Sequence, residues 1–469
     1  MTSWSTNRFP GLLAATAIGV YLLLLLGATT ALTDTTICNA WPLCGSGWTL
    51  PTSVTGYLVV GHRLAAMFVG LLGTVTVIAS WHSNIDRRVR TALAISGILY
   101  VIQAGIGAVV AMNGESTYLS SIHLLVGMLI FAGVIAALAW TLEIETGDPS
   151  DVPSTATSSP DHELPSETER NVTMPTNSVT RAKMTAFAYI RLMKPRLMWL
   201  LCLVAFAAMA LAGTTGPGVS WEIVLATLGG GVLSIGASGT FNHVLERDVD
   251  RRMARTSDRP LATDLVPVRN AIAFGCLLTV ASLGLFAWVN LLAAAFGLAA
   301  IVFYSIVYTL ILKPNTVQNT VLGGFAGALP AFIGWVAVTG EIGFGGLALA
   351  TVIFLWTPAH FYNLALAYKD DYERGGFPML PVVRGETATR RHILWYLGAT
   401  FLATAVLAVV DALGATYVLG SVALGAVFLW AVIRLHYEQT ESAAFRAFHA
   451  SNAYLGTLLI AIIIDTLAF

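Results

Sequence analysis

Charge is what this 469-residue chain has least of: Asp, Glu, Lys and Arg make up 11% of it, against 56% hydrophobic residues. No water-soluble globule of this size is built that way, and the composition implies an all-α polytopic membrane protein. The formal net charge is −1, so nothing points to nucleic acid and none is expected as a partner. No Ser/His/Asp arrangement and no catalytic-thiol arrangement is present, which argues against a protein nucleophile. A cleavable leader is not expected either. The first apolar run, Gly11 to Leu32, is long enough to span, and no small-residue cleavage site is clear.

The apolar runs imply about thirteen spanning helices. They lie near 11–32, 57–80, 91–112, 121–142, 197–214, 221–241, 266–288, 291–312, 318–339, 344–366, 393–412, 415–435 and 451–468. Lys and Arg cluster in alternate gaps, at Arg8, Arg87 to Arg90, Arg181 to Arg196, the Arg247 group, Lys313, Lys369 to Arg391, Arg434 and Arg446. The intervening gaps lack both, so the N-terminus is expected inside and the C-terminus outside a multi-pass protein of the cell membrane. There are four cysteines. Cys38 and Cys44 form a close pair in the first outer loop, on the oxidising side, and are expected as a disulfide. Cys202 and Cys276 lie in apolar runs and read as packing residues.

Residues 143–183 break the pattern. Ser, Thr, Pro, Glu and Asp dominate from Glu143 to Glu169 without apolar periodicity, which reads as a disordered cytoplasmic linker. The sequon Asn171-Val172-Thr173 is discounted because it falls on the inner side. The linker separates a four-span domain, 1–142, from a nine-span domain, 184–469.

The densest charge in the chain is the stretch from Asn242 to Leu261, NHVLERDVDRRMARTSDRPL. Asn242, Glu246 and Asp250 are spaced four apart, so on a helix they stack on one face. Oxygen ligands at the mouth of a membrane helix suit Mg²⁺, which favours carboxylates combined with substrate phosphates. The arginines around them suit a diphosphate, whose oxygens a guanidinium grips in a fork. A basic loop obeying the positive-inside rule explains the arginines but not the ladder. A second acidic segment, Lys369-Asp370-Asp371-Tyr372, falls at the same membrane face, where an ordinary charged loop is the alternative reading.

The Asn-x-x-x-Glu-x-x-x-Asp ladder resembles the first signature of the intramembrane prenyltransferase superfamily, with Glu246 where Asp is usual. Arg255-Thr256-x-x-Arg259-Pro260-Leu261, Lys194-Pro195-Arg196, Gln318-Asn319, Gly334-Trp335 to Gly340, Trp356-Thr357-Pro358-Ala359-His360-Phe361 and Met379-Leu380-Pro381 are similar to the haem O synthase (protohaem IX farnesyltransferase) branch over about residues 190–469. The resemblance implies transfer of a prenyl group from farnesyl or geranylgeranyl diphosphate to a vinyl group of haem B. Mg²⁺ would be held by Asn242, Glu246, Asp250 and Asp371, which form the catalytic set. Arg251, Arg255, Arg259, Lys313, Lys369 and Asp370 would bind substrate, and His360 would stand where the porphyrin enters. A quinone-type aromatic prenyltransferase and a non-catalytic haem carrier or scaffold are the rival readings. The Arg-Thr-x-x-Arg-Pro-Leu and Met-Leu-Pro segments argue against the first, and the paired acidic motifs against the second.

In the first domain, Gly61-His62-Arg63 opens the second span and Ser121-Ile122-His123 the fourth. Both histidines lie near the outer ends of their helices, where facing imidazoles could hold a haem iron or hydrogen-bond between helices. Arg63, the only basic residue near the outer side, is a candidate partner for a haem propionate. Cys-x-x-Trp-Pro-Leu-Cys, Gly-His-Arg, Gln103-Ala104-Gly105-x-Gly107 and His123 resemble one half of haem A synthase. Val59 stands where that family has a glutamate, so the resemblance implies haem binding by His62 and His123 without oxidation. Haem A synthase or oxidase assembly factors are candidate partners on the same ground.

Overall fold

The computed structural model describes residues 8–30, 38, 40–44, 49–82, 85–113, 117–148, 151, 176–215 and 218–468. Thirteen helices among the described residues are long and apolar enough to cross a membrane. No strand is present among them, and one isolated bridge pairs Cys44 with Thr49. Helix satisfies every backbone group within one segment, which lipid demands.

In chain order the helices are α1 (Phe9–Thr30), α2 (Val54–His82), α3 (Arg87–Asn113), α4 (Thr117–Thr146), α5 (Ser178–Leu192), α6 (Pro195–Thr215), α7 (Trp221–Leu245), the short α8 (Arg247–Asp250) and α9 (Val268–Val289). There follow α10 (Leu291–Val302), α11 (Asn319–Thr339), α12 (Phe344–Ala367), the short α13 (Lys369–Arg374) and α14 (Leu380–Arg384), then α15 (Glu386–Val410), α16 (Ala415–Glu438) and α17 (Glu441–Ala468). Helix α10 runs on into a π-helical stretch, Phe303–Leu312, and a final turn, Lys313–Asn315.

Most boundaries fall within a few residues of the apolar runs, with two informative exceptions. Helix α17 starts at Glu441, ahead of the expected 451, because Ala443, Ala444 and Ala447 are buried on one face while Glu441, Ser442 and Arg446 stay exposed. Helix α5 starts inside the expected linker. The Asn177 side chain accepts the N–H groups of Val179 and Thr180, and this cap fixes the start. Helix α4 likewise carries the first linker residues to Thr146. The remainder of that stretch, 152–175, lies outside the described residues, as does the sequon.

The chain falls into two compact units, Met1–Pro149 with Arg390–Ala468, and Ser150–Thr389. In the first, α1 packs against α2, α4 and α16, α3 against α4, and α16 against α17. A disulfide joins Cys38 to Cys44. In the second, α7 packs against α9, and α11 against both α12 and α6. Large apolar side chains such as Leu71, Val101, Leu277 and Trp288 are exposed, while polar groups such as Thr16, Ser282 and Asn319 are buried. That inversion suits a lipid solvent, where polar groups find their partners inside the bundle.

Candidate active site

The acidic ladder forms, although the helix beneath it does not continue. Helix α7 ends at Leu245, Glu246 has left helical geometry, and α8 resumes for a single turn. The four-residue rhythm survives because the N–H of Glu246 still donates to Asn242 O (2.9 Å) and that of Asp250 to Glu246 O (2.8 Å). Asn242, Glu246 and Asp250 are 2%, 6% and 2% exposed, so all three side chains leave water together. Burying two carboxylates this close requires cations.

Each rung has one. Lys313 Nζ donates to Glu246 and lies 4.2 Å from the centroid of the Phe377 ring. Arg259 places one guanidinium nitrogen 2.8 Å from both oxygens of Asp250, and 3.8 Å from Glu246. Lys194 Nζ donates to the Asn242 side-chain oxygen, and to the Tyr304 hydroxyl at 3.3 Å. Asn242 in turn donates to Thr309 Oγ1 at 3.1 Å. Thr309 and Tyr304 both belong to the π-helical stretch, an irregularity that recurs at functional sites.

Lys194 was quoted above only as part of a motif, and its place on the ladder is new. It is the second of the two residues between α5 and α6, held at φ 56° in the left-handed region. Pro195 then opens α6, as proline does at a first helical position. The turn can come this close only because position 239 is glycine. A Cβ there would sit 2.8 Å from Leu192 O and 3.2 Å from Lys194 Cγ.

The surroundings set the charges. Burial raises the Glu246 carboxyl, but Lys313, Lys194 and Arg259 together bring it below the usual range. Burial raises Asp250, and Arg259 offsets only part of that. Loss of water around the Lys194 ammonium, with Arg259 repelling it, pulls Lys194 down to about 7 against the attraction of Glu246.

The second acidic segment is tied to the loop after α8. Asp371 accepts the backbone N–H groups of Ala254 (3.1 Å) and Arg255 (2.9 Å), and pairs with Arg374. Burial raises its carboxyl, but Arg374 and the two N–H groups bring it lower overall. Asp371 therefore anchors the loop after α8, and no group of three or more His, Cys, Asp or Glu side chains converges as metal ligands among the described residues. Arg255 is stacked against Tyr368 (4.9 Å) and Tyr372 (5.3 Å). Arg251 bonds Asp264 and Ala262 O, and Lys369 bonds Glu386. These three cations have partners off the ladder, because nearer carboxylates, carbonyls and rings claim them. Asp370 is exposed. His360 is buried within α12, stacked on Trp356 at 4.2 Å.

Lys194, which bonds Asn242, also lines a mainly apolar cavity together with Tyr304, Leu201, Ala205, Ser238 and Pro330. The arrangement is thus a charged head site at the end of an apolar slot.

Residues 201–456, more than half of the chain, match the family model described as the UbiA prenyltransferase family. The chain belongs to the UbiA prenyltransferase family. A second model, described as cytochrome oxidase assembly protein, matches residues 52–161. The Haloquadratum walsbyi protein named Protoheme IX farnesyltransferase is 64% identical over 463 residues, covering 98% of this chain and 97% of that one. A Haloarcula marismortui protein of the same name is 60% identical over 467 residues, with 99% of each chain covered. A solved chain from work on digeranylgeranylglyceryl phosphate synthase in membranes superimposes with a TM-score of 0.51 at 13% identity, over 61% of this chain and all of that one. That last likeness is one of fold. Both family assignments agree with the resemblances drawn from the motif blocks. This UbiA-family chain is a multi-pass membrane protein.

In the first unit, Arg63 sits against the disulfide loop. Its guanidinium donates to Cys38 O (3.0 Å), Ala40 O (2.7 Å) and Leu43 O (2.6 Å), closing the disulfide loop. His62 and His123 are half-buried, and the Nδ1 atom of each is buried without a hydrogen-bond partner. Gly107 stands beside the His123 ring, where a Cβ would come within 3.0 Å of Cε1. Gln103 Nε2 donates to His123 O at 2.8 Å.

Proposed function

We propose that this chain transfers a prenyl group from farnesyl or geranylgeranyl diphosphate to a vinyl group of haem B, forming haem O and releasing diphosphate. The observation that carries the reading is the buried ladder with its cations, joined through Lys194 and Tyr304 to an apolar cavity. Without substrate, Glu246 and Asp250 pair with Lys313 and Arg259, and the Asn242 amide oxygen accepts a hydrogen bond from Lys194. Lys313, Arg259 and Lys194 would bind the phosphate oxygens of an allylic diphosphate, and the acidic rungs would hold Mg²⁺. Asn242, Glu246 and Asp250 fit Mg²⁺ in chemistry, being three hard oxygen donors on one face. Bound there, the ion supplies charge neutralisation for the leaving diphosphate.

The chain's own residues do the rest. Lys313, Arg259 and Lys194 hold the diphosphate and stabilise the charge that grows on it as the allylic C–O bond breaks. The cavity walls keep the tail straight and water away. The allylic carbon bonds to the terminal vinyl carbon of haem B, water adds to the other carbon with loss of a proton, and a hydroxyalkyl group results. Asp371 acts through the loop it anchors, by setting Arg255 and Arg259 in place. The strong identity to proteins named Protoheme IX farnesyltransferase supports haem B as acceptor.

His62 and His123 are proposed to hold a haem in the first unit. Two orphaned imidazole nitrogens, a glycine beside one ring and the cytochrome oxidase assembly match support this. The distribution of Lys and Arg supports a cytoplasmic N-terminus and a cytoplasmic ladder.

The test is incubation of the purified protein with haem B, Mg²⁺ and each prenyl diphosphate, followed by mass analysis of the haem. A farnesyl or geranylgeranyl adduct plus water is expected. An unmodified haem under all conditions would sink the proposal. For the second haem, a low-spin spectrum lost in His62→Ala, with transferase activity retained, is expected.

A further inference from the structure

The boundary between the compact units does not follow the boundary between the family matches. The last three helices of the chain belong to one unit with the four amino-terminal helices, although the prenyltransferase match runs on to residue 456. Two sets of contacts within that unit hold them. Midway along α1, the fully buried Tyr21 stacks on Phe401 of α15, centroids 4.3 Å apart and planes 12° from parallel. Its hydroxyl meets Thr404 Oγ1 at 2.8 Å and the hydroxyl of Tyr454 on α17 at 3.1 Å. Gly425 of α16 lets the helices close over this ring, since a Cβ there would stand 3.3 Å from Tyr21 Cε1.

The second set lies at the polar end of α4. Arg391 pairs with Glu143, the Tyr437 hydroxyl donates to Glu145 at 2.7 Å, and Gln439 donates to Thr146 O at 2.8 Å. Lipid offers no hydrophobic drive for helices to associate, so close packing and polar contacts of this kind must do it. A tyrosine hydroxyl parted from Thr404 and Tyr454 would be left bare in hydrocarbon.

We propose that this face of α15, α16 and α17 is a docking surface whose occupant is α1 and α4 of the same chain, so that the amino-terminal bundle stays attached to these three helices and the linker is not what holds it. The polypeptide connection supplies proximity, while Tyr21 and the Glu143–Arg391 pair supply the attachment.

The experiment uses the full-length protein with a specific protease site placed between residues 155 and 165 and an affinity tag at the C-terminus. After complete cleavage in mild detergent, the amino-terminal piece should stay bound through the affinity column and gel filtration. Its release should quicken by about tenfold in Tyr21→Phe, which keeps the stacked ring and loses the hydroxyl. It should quicken further in Tyr21→Ala combined with Arg391→Ala. Separation of the cleaved wild-type pieces would overturn the proposal without any variant having to fold. Equal retention of wild type and the double variant would overturn the assignment of the attachment to these residues.

Discussion

Asp371 accepts the backbone N–H of Arg255 at 2.9 Å, with the N–H of Ala254 on its other oxygen. This single carboxylate ties the segment after α12 to the loop after α8. Around it, Met253 shares a buried cluster with Tyr372, Phe377 and Met379. Because Arg259 belongs to the loop so fastened, the second acidic segment governs the first at one remove.

Asp371→Asn is therefore expected to act on binding more than on chemistry. It loses the pair with Arg374 and turns a donor toward one of two backbone N–H groups. KM for the allylic diphosphate should rise about tenfold to a hundredfold, with a smaller fall in kcat, a split that steady-state kinetics resolves. A fall in kcat alone would place Asp371 on the metal with Asn242, Glu246 and Asp250.

Asp250→Asn and Glu246→Gln should behave otherwise. Each removes charge at nearly constant volume and leaves Arg259 or Lys313 without its carboxylate. kcat/KM should fall by roughly a thousandfold or more, since leaving-group stabilisation goes with the metal site. Chelation with EDTA should abolish turnover of the wild type, and excess Mg²⁺ should restore it. A normally inserted Asp250→Asn protein turning over like wild type would remove the ladder from the mechanism.

Gly239→Ala tests how Lys194 reaches Asn242. The added methyl would press on Leu192 O and on the Lys194 side chain, at a cost of about 1–3 kcal/mol. Weaker diphosphate binding should accompany a lower Tm. Lys194→Met should weaken binding to a similar degree while leaving Tm near that of wild type, so comparing the two separates position from packing.

Much of this was legible in the sequence, and what was missed has a common cause. Apolar runs of about twenty residues give the spans because lipid permits little else. The four-residue spacing gives the ladder, and Lys313 and Arg259 were picked out as cations for it. Arg251, Arg255 and Lys369 carried the same local signal, but their partners are Asp264, two tyrosine rings and Glu386, set by tertiary placement. Lys194 looked like a loop residue, since nothing local says that Gly239 lies beside it. The π-helical stretch that presents Tyr304 and Thr309 left no mark in composition. Tyr21 and Phe401 lie far apart in the chain, and their stacking leaves no periodic trace.

Asp411 offers a pH test independent of catalysis. It follows directly on α15, and burial raises its carboxyl to about 6, with Oδ2 lacking a hydrogen-bond partner. The folded state thus prefers the protonated acid more strongly than the unfolded chain does. That preference stabilises the fold fully below about pH 4 and is lost as the pH rises through 6. At pH 7.5 the buried carboxylate is a burden. Asp411→Asn keeps the shape without the charge, so it should raise stability there by up to about 2 kcal/mol, after allowance for partial exposure. At pH 3.5 the two proteins should unfold at nearly the same temperature. Thermal unfolding in detergent across that range measures both limbs. A variant less stable than wild type at pH 7.5 would mean that the charge itself has a partner in the fold.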